Sequence, residues 1–287
     1  MKKYRLNKYF ILLLLVLSGS GCEKYINYVN SPEFEQKLVI TSFISPSDTV
    51  CEIYVSSNQR LYGFYDKLED PGDIMGTISD GTTEVELDTT SSGLSFSRDK
   101  MPVISGKTYT LKISSSKGIY AEAVTTIPQK RETLISVDTV SVTQDTPGYE
   151  SSGFIEISVE FTDYPGEKNY YNLIGKMTVF RTTPSQETAF HYDRFWYEYI
   201  KDTKANPDNR IVIDQWITPS NNNSDSAFIT VFLMNTEESY YLYHTSLNEF
   251  DRSDNPFSEA KPVYSNIKGG LGIFTSYTMD SLRLRLK

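Results

Sequence analysis

Side chains able to do chemistry are few in this 287-residue chain. It holds two histidines, His191 and His244, and two cysteines, Cys22 and Cys51. A zinc site built from several Cys and His ligands cannot be assembled from that set. A serine triad would have to take one of the two histidines as its base. Acids are abundant, 37 Asp and Glu against 28 Lys and Arg, so a carboxylate pair of the kind glycoside hydrolysis needs is easy to imagine. The sequence singles out no such pair. Residues 202–208, 221–225 and 251–255 are oxygen-rich and invite calcium, but none has EF-hand spacing. Asp and Asn in such runs bond their own backbone and make turns. The reading is of a chain with no catalytic residue, no cofactor and no metal ligand set. A formal net charge of −9, without a basic block, also argues against nucleic acid, whose phosphates need clustered Lys and Arg.

Aromatic residues are the better candidates for contact. Phe190, Tyr192, Phe195, Trp196, Tyr197 and Tyr199 fall within ten residues, and Trp216 lies on a nearby predicted strand. Exposed aromatics stack on sugar rings or anchor protein interfaces. Strand alternation sends Phe195, Tyr197 and Tyr199 one way and Trp196, Glu198 and Ile200 the other, so one set is core. Tyr192, Trp196 and Trp216 are the candidate partner- or ligand-binding residues. Cys51 alternates with Ile53 and Val55 and reads as a buried structural thiol. Gly269, Gly270 and Gly272 could suggest a phosphate-cradling loop. No Lys-Ser/Thr follows them and no βαβ pattern surrounds them, so they read as the tight start of a strand.

The elements that must position these residues are mostly strands; 21 Tyr and 15 Phe suit pleated, half-buried surfaces. Strands are predicted at 37–44, 50–56, 74–79, 83–87, 94–97, 109–114 and 119–126. Asp80-Gly81 and Lys117-Gly118 mark hairpins, because primed turns need positive φ. Seven short strands with regular turns predict an immunoglobulin-like β-sandwich over 35–128. A second β-rich module is predicted over 133–287, with strands at 135–143, 154–162, 170–181, 195–200, 211–217 and 227–234. The fold class is therefore all-β with one helix. That helix, about 236–250, follows from a stripe of Tyr240, Tyr243, Leu247 and Phe250, and Asn235 with Glu238 looks like its capping pair. A closing strand, 281–287, turns Leu282, Leu284 and Leu286 inward.

The N-terminus reads as an address. Lys2, Lys3, Arg5 and Lys8 precede an apolar run, 10–17, that as a helix is only about 12 Å long. A bilayer core needs ~30 Å, so the run is a signal-peptide segment and not a span. Small residues 18–21 then lead to Cys22. The layout resembles a bacterial lipoprotein signal, which implies cleavage after residue 21, acylation of Cys22 and a tether over 22–34. Loss of 1–21 would take the formal net charge from −9 to −13. Five triplets centred on Thr49, Thr89, Thr139, Ser226 and Ser281 resemble the O-glycosylation motif of exported Bacteroidota proteins.

The stretches 255–259 and 263–274, with the lipid-accepting cysteine, the short tether and the Leu38-Val39-Ile40…Ile44 opening, resemble a Bacteroidota lipoprotein family known as domain of unknown function 4249. The resemblance implies an exported β-rich lipoprotein of the outer membrane, on either its periplasmic or its cell-surface side. It further implies an accessory to a TonB-dependent transporter, with no catalytic residue. The alternatives are a structural or adhesive surface lipoprotein and, third, a hydrolase.

Overall fold

The computed structural model describes residues 33–59, 69–130, 135–144, 152–183, 186–217, 226–251 and 261–285. The chain divides into two compact units, residues 1–35 with 60–64, and residues 36–59 with 65–287. Of the first unit, 33–35 are described and carry no regular structure. Cys22 and its flanks, the Asn255-Pro256 turn and the acidic runs 221–225 and 251–255 lie outside the described residues, apart from Asp251 at the end of the helix.

The second unit holds fifteen described strands and one α-helix. They are β1 (Leu38–Ile44), β2 (Val50–Ser57), β3 (Ile74–Ser79), β4 (Glu84–Glu86), β5 (Asp88–Thr90), β6 (Gly93–Ser97), β7 (Thr108–Ser115) and β8 (Tyr120–Thr126). Then come β9 (Ile135–Gln144), β10 (Ser152–Thr162), β11 (Tyr170–Thr183), β12 (Gln186–Lys201), β13 (Arg210–Ile217) and β14 (Ser226–Thr236). The helix α1 (Glu238–Asp251) and β15 (Leu271–Arg285) complete the unit. Three sheets form: an eight-stranded one in the order β12-β11-β14-β15-β1-β2-β6-β5, a four-stranded one, β4-β3-β7-β8, and a three-stranded one, β13-β10-β9.

Burial follows alternation. In β7, Tyr109, Leu111 and Ile113 are buried and their neighbours are not, the mark of a sheet with one face toward the core. With Leu38, Ile40, Ile44, Cys51, Ile53, Leu94, Phe96, Ala121 and Ala123 they form a first core between the four-stranded sheet and half of the large one. Residues 38–126 thus supply two facing sheets, one of which continues into β15, β14, β11 and β12. Residues 84–90 cross from one to the other, since β4 pairs with β3 and β5 with β6. The buried Tyr109 hydroxyl accepts from the Ile104 N–H (2.9 Å) and donates to the Pro102 carbonyl (2.7 Å), a tyrosine corner. A second core joins Ile157, Val159, Phe161, Ile211 and Ile213 of the small sheet to Tyr171, Leu173, Ile200, Ile229, Val231 and Leu233 of the large one.

The predicted closing strand is longer than expected. β15 begins at Leu271 and has 15 residues. Its first part pairs in parallel with β1, from Val39↔Leu271 to Ile44↔Ser276. Its second part pairs antiparallel with β14, from Tyr277 to Arg285. Phe274 belongs to the first core and Leu284 packs on the second. The first core draws mostly on residues 38–127 with Ile267 and Phe274, the second on residues 157–233, and β15 serves both within one compact unit. Phe274 and Leu284 are even-numbered on an uninterrupted strand, so the small sheets cover the same face of the large one.

The glycine block starts this strand, as the sequence suggests. A Cβ on Gly269 (φ +74) would sit 2.6 Å from the Tyr120 carbonyl, and one on Gly270 would sit 2.8 Å from that of Leu38. On Gly272 (φ +100) it would overlap the Ile40 carbonyl oxygen. Only glycine lets the chain run this close to β1 and β8. Gly118 (φ +78), in the β7–β8 hairpin, has open space around it. Gly272→Ala is therefore expected to cost about 2–4 kcal/mol, combining strain with displaced backbone, and Gly118→Ala only ~1 kcal/mol. Urea denaturation of both variants checks the ranking; equal losses would refute this account of the strand start.

Candidate binding site

On the face of the large sheet turned away from both cores lies α1. The expected capping pair is corrected here: Asn235 is still part of β14, and the helix begins at Glu238. Its first turn is organised by Glu237, whose backbone N–H donates to the Ser276 carbonyl (3.1 Å) and whose own carbonyl accepts from the Tyr240 N–H (3.1 Å). The Glu237 carboxylate accepts from the hydroxyls of Thr125 (2.5 Å), Ser239 (2.8 Å) and Thr275 (3.3 Å), and from the Thr126 N–H (3.3 Å). Ser276 donates to the Thr126 carbonyl (2.9 Å). Thr125, Thr275 and Ser276 are fully buried, so this network satisfies groups that would otherwise be costly. It joins β8, β15 and α1.

Beyond it α1 presents aromatic side chains. Tyr240 is buried, and its hydroxyl accepts from the Asn172 amide (2.9 Å). The His244 ring stacks on Tyr199 of β12 (4.9 Å, 11°) and on Phe43 of β1 (5.4 Å, 23°). In the order of the sheet, β12 and β1 are four strands apart. A flat sheet would hold them ~19 Å apart. A single imidazole meets both, so the sheet is curled around α1 and this face is concave. Tyr277 (6.3 Å from Tyr240) and Tyr243 complete the layer. Outside it, the Tyr241 ring receives the Lys201 ammonium (4.7 Å) and meets Tyr170. Phe250, the last residue of the predicted stripe, is largely exposed.

The described imidazole and thiol, His244 and Cys51, are committed to packing. Burial brings the His244 pKa down to about 4. Burial, with a smaller push from the Asp48 carboxylate, raises the Cys51 thiol to about 12, so it is a poor nucleophile. Burial also holds the phenols of Tyr199 and Tyr240 above their usual range. In the 202–208 run, Asn206 Oδ1 accepts from the N–H groups of Asp208 (3.0 Å) and Arg210 (2.9 Å), the turn-making role of Asn. Among the described residues no three His, Cys, Asp or Glu side chains gather as a metal set.

The predicted contact residues fall on different surfaces. Tyr192 and Trp196 lie on β12, an edge strand of the large sheet, and their side chains are outside the described residues. The β11–β12 register shifts between Lys176 and Met177, where the partner changes from Phe195 to Tyr192, a bulge inside the aromatic run. Trp216 lies on β13, an edge of the small sheet opposite Glu156, with its side chain on the outer surface and 58% exposed. It is thus on another sheet from the other two. Of the two alternating sets, Ile200 of the Trp196 set is in the core, while in the other set Tyr199 lies under α1 and Tyr197 is 57% exposed. Sequence reasoning missed His244 and Phe43, whose meeting depends on the curl. Thr49, Thr89, Thr139 and Ser281 are all exposed; the Ser226 side chain is not described.

Above about pH 6.5 the His244 ring is neutral both folded and unfolded. Between about pH 6.5 and about pH 4 the unfolded chain takes up a proton that the folded one refuses, so stability falls as pH drops. The loss by pH 4 is on the order of 2 kcal/mol. Urea titrations at pH 7 and 4.5 should show a shallower decline for His244→Phe; identical pH dependence rejects the assignment. Separately, peptide mass spectrometry of the native protein should find glycan on at least one of Thr49, Thr89, Thr139 and Ser281, and bare peptides throughout would remove that modification.

Comparison with curated proteins returns no match. A family model described as "Domain of unknown function (DUF4249)" matches residues 25–283, nearly the whole described fold and its glycine-started last strand. The chain belongs to the DUF4249 family.

Proposed function

We propose that this chain is a lipid-anchored outer-membrane protein that binds rather than catalyses, serving as an accessory of a TonB-dependent uptake system. The observation that carries the binding half is the display of large aromatics on strands: Tyr197 and Trp216 are more than half exposed on two surfaces of one rigid sandwich. Rigid aromatic side chains lose little freedom when they meet a partner, and they dominate contact energy. The non-enzymatic half is supported by His244 and Cys51, whose reactive atoms are taken up by packing. The anchor is supported by the signal-like N-terminus ending at Cys22. A triacylated cysteine holds a protein firmly where one short chain would not. Among the described residues no helix is long and apolar enough to cross a membrane.

The test is purification of the tagged native protein from gently solubilised outer membranes. A stoichiometric β-barrel transporter in the eluate is the expected result. A lipidated protein that stays alone after crosslinking and across detergents would overturn the accessory role and leave a structural or adhesive surface lipoprotein.

A further inference from the structure

Helix α1 covers only one end of the concave face. Beyond the helix, the cross-strand rows of β11, β14 and β15 continue the floor of that face. Asn172, Met234 and Met279 form the row nearest α1. Next come Ile174, Phe232 and Ser281, with Tyr197 of β12 opposite Ile174. Then come Lys176, Thr230 and Arg283, and after them Thr178, Phe228 and Arg285. The floor is thus apolar and aromatic nearest the helix and cationic one row further on, about 7 Å along the strands. Ser281, Arg283 and Arg285 are exposed.

Charge on this surface runs against the chain. The protein has net −9 with 37 acids, yet these four rows of β11, β14 and β15 carry three cations and no Asp or Glu. The acid of this part of β15, Asp280, has even parity and turns to the other face. Arg283 is held in place: its guanidinium lies over the Phe228 ring at 4.2 Å, and Phe228 is set edge-on to Phe180 at 5.7 Å. A guanidinium resting on a ring presents its N–H groups in plane at its edge, the geometry that suits carboxylate or phosphate oxygens. Concave, largely apolar surfaces with a few convergent polar groups are where small ligands bind.

We propose that the open part of this face is a binding site for an amphipathic anion, with an apolar or aromatic body lying over Tyr197, Ile174 and Phe232 and a carboxylate or phosphate head meeting Arg283. The inference deepens the binding reading above and rests on it. It needs no transporter, so the test uses the lipidated full-length mature protein in phosphatidylcholine nanodiscs, with empty nanodiscs as control.

The probes are 4-phenylbutyrate and its uncharged counterpart 4-phenylbutan-1-ol, compared by isothermal titration calorimetry. The acid is expected to bind at least tenfold tighter than the alcohol, and rising salt should weaken it. Ser281→Glu puts a negative charge on an exposed position of the same face without touching the core, and should weaken the acid at least tenfold. Tyr197→Ala should weaken acid and alcohol alike. No binding of the acid up to millimolar concentration, equal binding of both probes, or an unchanged affinity in Ser281→Glu would each overturn the proposal. None of these results bears on whether a barrel co-purifies.

Discussion

One backbone contact organises this protein: the parallel passage of β15 beside β1, made possible by missing side chains. Gly270 and Gly272 run against the carbonyls of Leu38 and Ile40, and Gly269 against that of Tyr120. On the other flank, Lys268 and Glu122 exchange backbone hydrogen bonds of 2.8 and 2.9 Å. The start of the last strand therefore zips both sheets of the first sandwich together. Its continuation then becomes a wall of the second core. Residues separated by more than two hundred positions are made neighbours, so the fold is completed only when the C-terminal segment docks. Such long-range pairing carries a large closure cost before it returns any contact.

The curl of the large sheet is tied to the layers on its two faces. Ile273 to Ser276 are fully buried, with the first core on one side and the helix layer on the other. That layer is unusually polar for a buried surface. Glu237, Thr125, Ser239, Thr275 and Ser276 satisfy one another, while Tyr240, His244, Phe43 and Tyr199 supply area and ring contacts. Hydroxyls and aromatic edges let a helix sit close inside a curved sheet with the Glu237 network paired, while Asn172 Oδ1 and His244 Nε2 in the same layer are buried without a hydrogen-bond partner. The helix covers one end of this face, and among the described residues no other element lies over the rest of it.

Reactivity and exposure are separated among the described residues. The His244 imidazole and the Cys51 thiol are inside, held neutral by burial. Large aromatics and the Arg283–Phe228 pair are outside, on strands whose other faces are core. A scaffold of that kind presents fixed surfaces and suits recognition. The binding proposals give it a chemical class to test.

Much of this was legible from the residues alone. Period-two patterns placed nearly all the strands because a half-buried strand must alternate. Asp80-Gly81 and Lys117-Gly118 announced their hairpins because few residues tolerate positive φ, and Gly81 (φ 86) and Gly118 (φ 78) adopt it. The Tyr-rich stripe announced the helix, and alternation placed Cys51 inside. Strand partners lay beyond reach. Nothing local says that Leu271 meets Val39, that the 190–199 run is bulged, or that Trp216 belongs to another sheet. The helix start moved from Asn235 to Glu238 because β14 pairs with β15 through Thr236, and sheet pairing outweighed a capping pattern. His244 meets Tyr199 and Phe43 only because the sheet curls, and the curl is a sum of packing across four strands. Sequence determined the elements and which side of each is apolar, since both are local. Tertiary structure decided which apolar sides meet and which surfaces stay open, since that is set by closure between distant segments.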